Sequence, residues 1–308
     1  MLTNKFKINY SIGSVANGIK TDTFTFFLLF FYSNIIGLNP GLAGSAIFIA
    51  LCIDAVTDPL MGTISDRTNT SLGRRHPYMM ISFIPMSLGY IFLFAPRQDW
   101  DMSQSDLFIW MTIFTVLTRI GMTLFDIPHR AFGGEVTKNY KERTILMSWR
   151  EMVGWVAGLS NAFLGYGIFF ASTPEYPQGQ LNPDAWFPFA VTGAIFMIIS
   201  VLYSSLSTKD EIKSLSKWSG SISLIDIIKE LKIAIGNRAF LIFFFGNLFL
   251  SLAWGLSNTL TLFVNTYFWE FEATQIKYFL PIYLFATLLA FYLTPRMVNR
   301  YDKRNIVL

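Results

Sequence analysis

Cysteine and histidine are nearly missing from this chain: Cys52 stands alone, and His76 and His129 are the two imidazoles in 308 residues. A single thiol excludes a disulfide framework, and so sparse a set of soft ligands excludes a His/Cys metal cage. Cys52 is therefore expected to pack between helices, and His129 to pack or sit at an interface. Charge is scarce as well. Acidic and basic residues make up 14% of the chain, against roughly a quarter in soluble domains. Apolar residues fill their place, at 53% of the sequence with 31 phenylalanines and a mean hydropathy of +0.44. This is the composition of a membrane protein. The net charge of +4 does not point to nucleic acid, because the bases are dispersed over polar connections between apolar runs. No cleavable signal is expected, since Met1–Tyr10 is polar and the apolar run after it is too long for a signal core.

Eight hydrophobic spans are predicted, near 8–36, 41–64, 77–96, 106–132, 147–172, 185–207, 239–268 and 274–295. The first and fourth carry enough internal charge to escape a simple hydropathy window. Lys5, Lys7, Arg67, Arg74, Arg75, Lys138, Lys141, Arg143 and the bases of 208–238 fall on one side of these spans. Arg97 lies on the other side, among Asp99, Asp101, Asp106 and Asp184. Such a split predicts an N-terminus on the cytoplasmic side of the inner membrane. The spans group as six over residues 1–207, a polar connection over 208–238, and two more over 239–308. Within the connection, Ser221–Ile235 carries Ile225, Ile228 and Leu231 along one side, and a short helix on the membrane surface is expected there.

Asp54 and Asp58 sit inside the apolar run Gly41–Ile64, which is long enough to cross a bilayer. Carboxylates four residues apart share a helix face, and bare charges at that depth demand a partner or a polar cavity. Span four repeats the theme, with Arg119, Thr123, Asp126 and Arg130 spaced 4, 3 and 4 apart on one stripe. If spans two and four are neighbours, the oxygens of Asp54, Asp58, Thr123 and Asp126 converge, and hard cations favour such ligands. The alternative is an internal salt-bridge cluster in which Arg119 and Arg130 neutralise the aspartates. Pro128 is expected to kink or end span four. Arg150 at the start of span five either lines the cavity or snorkels to the interface. In span one, Lys20 and Asp22 are intramembrane charges whose roles the spacing leaves open.

Two segments carry a family resemblance. The run IGLNPGLAGSAIFIALCIDAVTDPLMGTISDRTNTSLGRRHPY and the segment DIPHRAFGGEVTKNYKERTILMSWR resemble the glycoside–pentoside–hexuronide:cation symporters. Their patterns here are DAxxDPxMG and ExTxxYxERTxxxxxR, and the resemblance runs through the whole chain. It implies an all-α membrane protein of the major facilitator fold, with a six-helix N-terminal half and the first two helices of a second half. A truncated twelve-helix carrier is the expectation. The resemblance also implies a coupling-cation site at Asp54, Asp58, Thr123 and Asp126, and substrate contacts at Asp126 and Arg150. Two positions depart from the family pattern. Its helix-one aspartate falls on Gly18, so Asp22, one turn beyond, is the substitute candidate. Its tryptophan falls on Arg130, which would suit an acidic sugar by gripping a carboxylate with both arms of the guanidinium. The loop after span two, with Asp66, Arg67, Arg74 and Arg75, resembles the superfamily's inner gate.

The expected function is symport of a sugar, glycoside or sugar acid with Na⁺ or H⁺ (Li⁺ as a further candidate) by alternating access. No cofactor and no catalytic residue are expected. A carrier of a lysolipid or other amphiphile is the alternative. An intramembrane aspartyl enzyme is more remote, because no nucleophile or metal accompanies the paired carboxylates.

Overall fold

The computed structural model describes residues 2–214, 233 and 235–300, with 212–214 and 294–300 described by their backbone alone. It is helical throughout, with no strand among the described residues. The first rod consists of α1 (Asn4–Ile12), α2 (Ser14–Asp22) and α3 (Leu28–Phe30), joined and continued by π-helical turns at Thr23–Phe27 and Phe31–Ile36. Then come α4 (Pro40–Arg67), α5 (His76–Ile81), α6 (Phe83–Leu93) and α7 (Gln104–Glu135). The chain continues with α8 (Tyr140–Leu164), α9 (Trp186–Ser207), α10 (Arg238–Phe263) and α11 (Ala273–Arg300). Each predicted span coincides with one of these rods. The proposed surface helix at Ser221–Ile235 lies outside the described residues, apart from two isolated positions.

Among the described residues, six helices are long and apolar enough to cross a membrane, so the protein is a multi-pass membrane protein. The two rods outside that set are the first and the third. The first is interrupted by its π turns, and the third breaks at Ser82 between α5 and α6. Span four, expected to escape on account of its charges, is within the set as Gln104–Glu135. Pro128 does not end α7, which runs on to Glu135 with the proline buried. Cys52 is exposed on the outer surface of α4 rather than packed between helices.

Lipid tails are as apolar as leucine, so helices in a bilayer associate through close backbone contact and shape. The pairs α2 with α8, α6 with α7, and α4 with α7 are the main associations. At the first of them, a Cβ on Gly18 would overlap the Gly154 carbonyl. The two helices touch there, backbone to backbone, and Ser14 Oγ donates 2.6 Å to the Arg150 carbonyl across the same seam. At the second, Gly121 stands against the backbone of Met86 and Gly89 against Thr118. An aromatic core fills the opposite end, where Phe27, Phe31, Phe94 and Phe170 surround Trp186. The π turn Val264–Phe268 that follows α10 is fixed to this body. Gln178 Nε2 donates to the Thr266 carbonyl at 3.1 Å, and Tyr267 donates to Asn34 Oδ1 at 2.8 Å.

Candidate functional site

The pairing of α4 with α7 brings the two predicted polar stripes face to face. Thr123 Oγ1 donates 2.6 Å to Asp58 Oδ1. Arg119 Nη1 donates to Asp54 Oδ2 in an ion pair whose side chains are 12% and 20% exposed. Lys20 reaches this region from α2, where it shares the Phe24 ring with Arg119. Its ammonium lies 5.7 Å from the centre of the Phe24 ring, and the Arg119 guanidinium lies 5.5 Å from the same ring. Around the pair, Asp54 Oδ1, Thr57 Oγ1 and Arg119 Nε are buried without a hydrogen-bond partner.

Asp126 belongs to a second ion-pair group. It accepts from Arg150 Nη2 through one oxygen and from Arg130 Nε at 2.7 Å through the other. Arg150 is fully buried and spends its other donors on Glu151 Oε1 at 2.6 Å and His129 Nδ1 at 3.3 Å. Arg130, 47% exposed, also faces Glu151 at 3.4 Å. Arg150 therefore does not snorkel, and Arg130 is engaged by two carboxylates of the protein itself. His129, read as a packing residue, is buried and has specific partners. It lies parallel to Tyr10 at 4.1 Å between ring centres, with Nε2 3.0 Å from the Tyr10 carbonyl.

The four candidate cation ligands thus fall into two groups. Asp54, Asp58 and Thr123 stand together, and Asp126 stands with the arginines. Among the described residues, no three His, Cys, Asp or Glu side chains converge as a metal-binding set. A hard monovalent cation at Asp54 and Asp58 would draw further oxygens from hydroxyls such as those of Thr57 and Thr123.

Asp22 lies apart from both groups, 6% exposed, with its Oδ2 unpartnered. The carboxylate rests against α8 where Gly158 leaves room; any Cβ there would collide with it. The departure at Gly18 has its cause in the same seam, since the Gly154 backbone excludes a side chain at that position. Asp22 lines a cavity of about 390 Å³ between the first rod, α8 and α10, together with Thr21, Thr25, Trp155, Trp254 and Asn258. Carboxylate, hydroxyl and amide groups beside two indoles suit a polyhydroxylated ring with one apolar face. A larger recess, about 610 Å³, is lined by the turn at Gly37–Ser45 and Gln104 and holds no charged group.

At the end of the bundle where α4 and α7 finish, Arg75 ties the proposed gate together. Its Nη2 pairs with Asp66 and, at 2.7 Å, with Glu135, while Nη1 donates 2.6 Å to Ser65 Oγ. Arg74 adds a contact to Glu135 at 2.9 Å. Glu135 was missed by sequence reasoning, although its place at the end of a charged span beside a basic loop was a signal. Replacing Arg75 with alanine should release the ends of α4 and α7. Hydrogen exchange over residues 60–80 should then quicken by roughly tenfold or more, as expected when charged hydrogen bonds of about 1.5–3 kcal/mol each are lost. Unchanged exchange would show that the latch contributes nothing.

Comparison with known proteins gives the family to which the chain is similar. The sequence profile of the MFS/sugar transport protein family matches residues 9–308. A putative glycoside/cation symporter of Escherichia coli is 29% identical over 77% of this chain and 48% of its own length. An isoprimeverose transporter of Lactiplantibacillus pentosus is 23% identical over 98% of this chain and 60% of its own. A sodium-dependent lysophosphatidylcholine symporter of Danio rerio is 31% identical over 56% and 32% respectively. The chain spans between about a third and three fifths of the length of these relatives.

Proposed function

The chain belongs to the MFS/sugar transport protein family, a family of transporters rather than enzymes, and we propose that it carries a sugar or glycoside across the cytoplasmic membrane together with a cation. One observation carries this reading. Buried or half-buried charges from α4, α7 and α8 meet inside the span region and pair there with one another, and Lys20 of α2 shares the Phe24 ring with Arg119 beside them. A scaffold has no use for so many intramembrane charges, each of them costly in a bilayer.

In this reading Asp54, Asp58 and Thr123 receive the cation, and Asp126 senses it through Lys20 and the intervening charges. Na⁺, Li⁺ and H⁺ are the candidate coupling ions. The substrate enters the cavity over Asp22, Trp155 and Trp254. Asp126, Arg150 and Arg130 are not among the residues that line this cavity, and because each guanidinium already holds carboxylates, a neutral glycoside fits better than a sugar acid. Cation binding and substrate binding favour each other by an equal factor. Residues 1–207 act as one rocking unit, 208–238 as the cytoplasmic connection, and Asp66, Arg67, Arg74 and Arg75 with Glu135 as the inner latch. The basic loops place the N-terminus inside.

A second reading, carriage of a lysolipid, is supported by the name of the zebrafish relative and by the apolar share of the cavity wall, which includes Phe26 and Leu250. The experiment is a binding panel on the purified chain, read by the fluorescence of Trp155 and Trp254. Isoprimeverose or a methyl glycoside should bind, and Asp22→Asn should weaken it by roughly tenfold, the loss of a charge-assisted hydrogen bond or two. Binding of lysophosphatidylcholine alone, indifferent to Asp22→Asn, would support the second reading and remove the first.

A further inference from the structure

We infer that Arg119 is a tethered counter-ion that occupies Asp54 whenever the coupling cation is absent and competes with that cation for the carboxylate. The inference rests on the cation site proposed above and names what controls it.

The guanidinium crosses from α7 to α4 and takes one oxygen of Asp54, leaving the other oxygen and the Thr57 hydroxyl buried and unpartnered. A site completed by arginine alone would not leave two acceptors without a protein partner on one helix face. Asp54 and Thr57 are three residues apart, so both point to the same side of α4. They mark a place for a small cation that the guanidinium, with its own Nε also unpartnered, does not fill. Arg119 therefore neutralises Asp54 without satisfying the site.

Two neighbours besides Asp54 act on the guanidinium. Its carbon stands 5.5 Å from the centre of the Phe24 ring, within the range at which an aromatic face attracts a cation. Lys20, on the same ring at 5.7 Å, adds a like charge that pushes Arg119 toward Asp54 in the empty site. When a cation binds Asp54, the guanidinium gives up the carboxylate and keeps its place beside the ring, and when the cation leaves, it takes the carboxylate again. This serves the transport cycle. An empty carrier must reorient without presenting a bare carboxylate to a low-dielectric interior, and Arg119 supplies the missing charge.

The test uses the purified full chain, with binding of NaCl and of LiCl measured by thermal stabilisation at constant ionic strength. Arg119→Gln and Arg119→Met remove the competitor, and Arg119→Lys retains the charge. Either neutral variant should bind the cation more tightly by roughly 5–150-fold, the usual span of coupling between sites, and the lysine variant should stay near the wild type. If the neutral variants fold only when the cation is present, the cation is replacing the lost charge and the proposal holds. An affinity unchanged or weakened in a folded neutral variant overturns it and leaves the cation site standing. Failure of both neutral variants to fold even in saturating salt makes Arg119 a fixed structural ion and also overturns it. If neither wild type nor any variant binds Na⁺ or Li⁺, the metal-ion site itself fails, and this proposal with it.

Discussion

Arg150→Ala should unfold the α7–α8 seam, at a cost of about 3–5 kcal/mol, the range for removing one partner of a buried ion pair. Arg150 is fully buried. Its removal would leave Glu151 and His129 Nδ1 short of a donor and reduce Asp126 to its one contact with Arg130. A void the size of the guanidinium would open between Asp126, His129 and Glu151. Lysine is no remedy, because a point charge cannot reach three acceptors in the fork geometry of arginine. Arg150→Lys should lose most of the same stability. Thermal denaturation in detergent, followed by helical circular dichroism, measures both variants. Melting at the wild-type temperature in the alanine variant would show that the group at Asp126 is not what holds these helices.

The polar architecture was legible to the extent that helical spacing encodes it. Asp54 and Asp58 share a face of α4, Thr123 and Asp126 share one of α7, and a Thr123–Asp58 contact follows once the two helices are neighbours. Spacing does not say which carboxylate takes which base. The sequence leaves Arg130 open between an acidic substrate and an internal pair, and the fold gives it Asp126 and Glu151. Three-dimensional closeness between distant segments was equally hidden. Nothing local to Gly18 announces that the Gly154 backbone lies against it. The hydrogen-bond partners of His129 were hidden because the Tyr10 carbonyl is 119 residues away and Arg150 is 21. The break at Ser82 has a local cause in Pro85, which offers no N–H to the Ile81 carbonyl one turn back and crowds it. The π turns of the first rod were invisible, because they arise where packing overrides the regular hydrogen-bond ladder.

The central claim is that Asp58, with Asp54 and Thr123, receives a coupling cation, and one titration tests it most directly. The purified wild-type chain and Asp58→Asn are melted across a series of NaCl and LiCl concentrations at constant ionic strength, and again across pH 5–8. A ligand that binds only the folded protein raises its stability by mass action, by about 2.7 kcal/mol at a hundred times its dissociation constant. Asparagine keeps the shape of aspartate and the acceptor for Thr123 Oγ1, so the fold should survive while the charge that attracts the cation is gone. The account predicts that Na⁺, Li⁺ or H⁺ stabilises the wild type in a saturable way and that the shift disappears in Asp58→Asn. Identical shifts in the two proteins under every condition would contradict it.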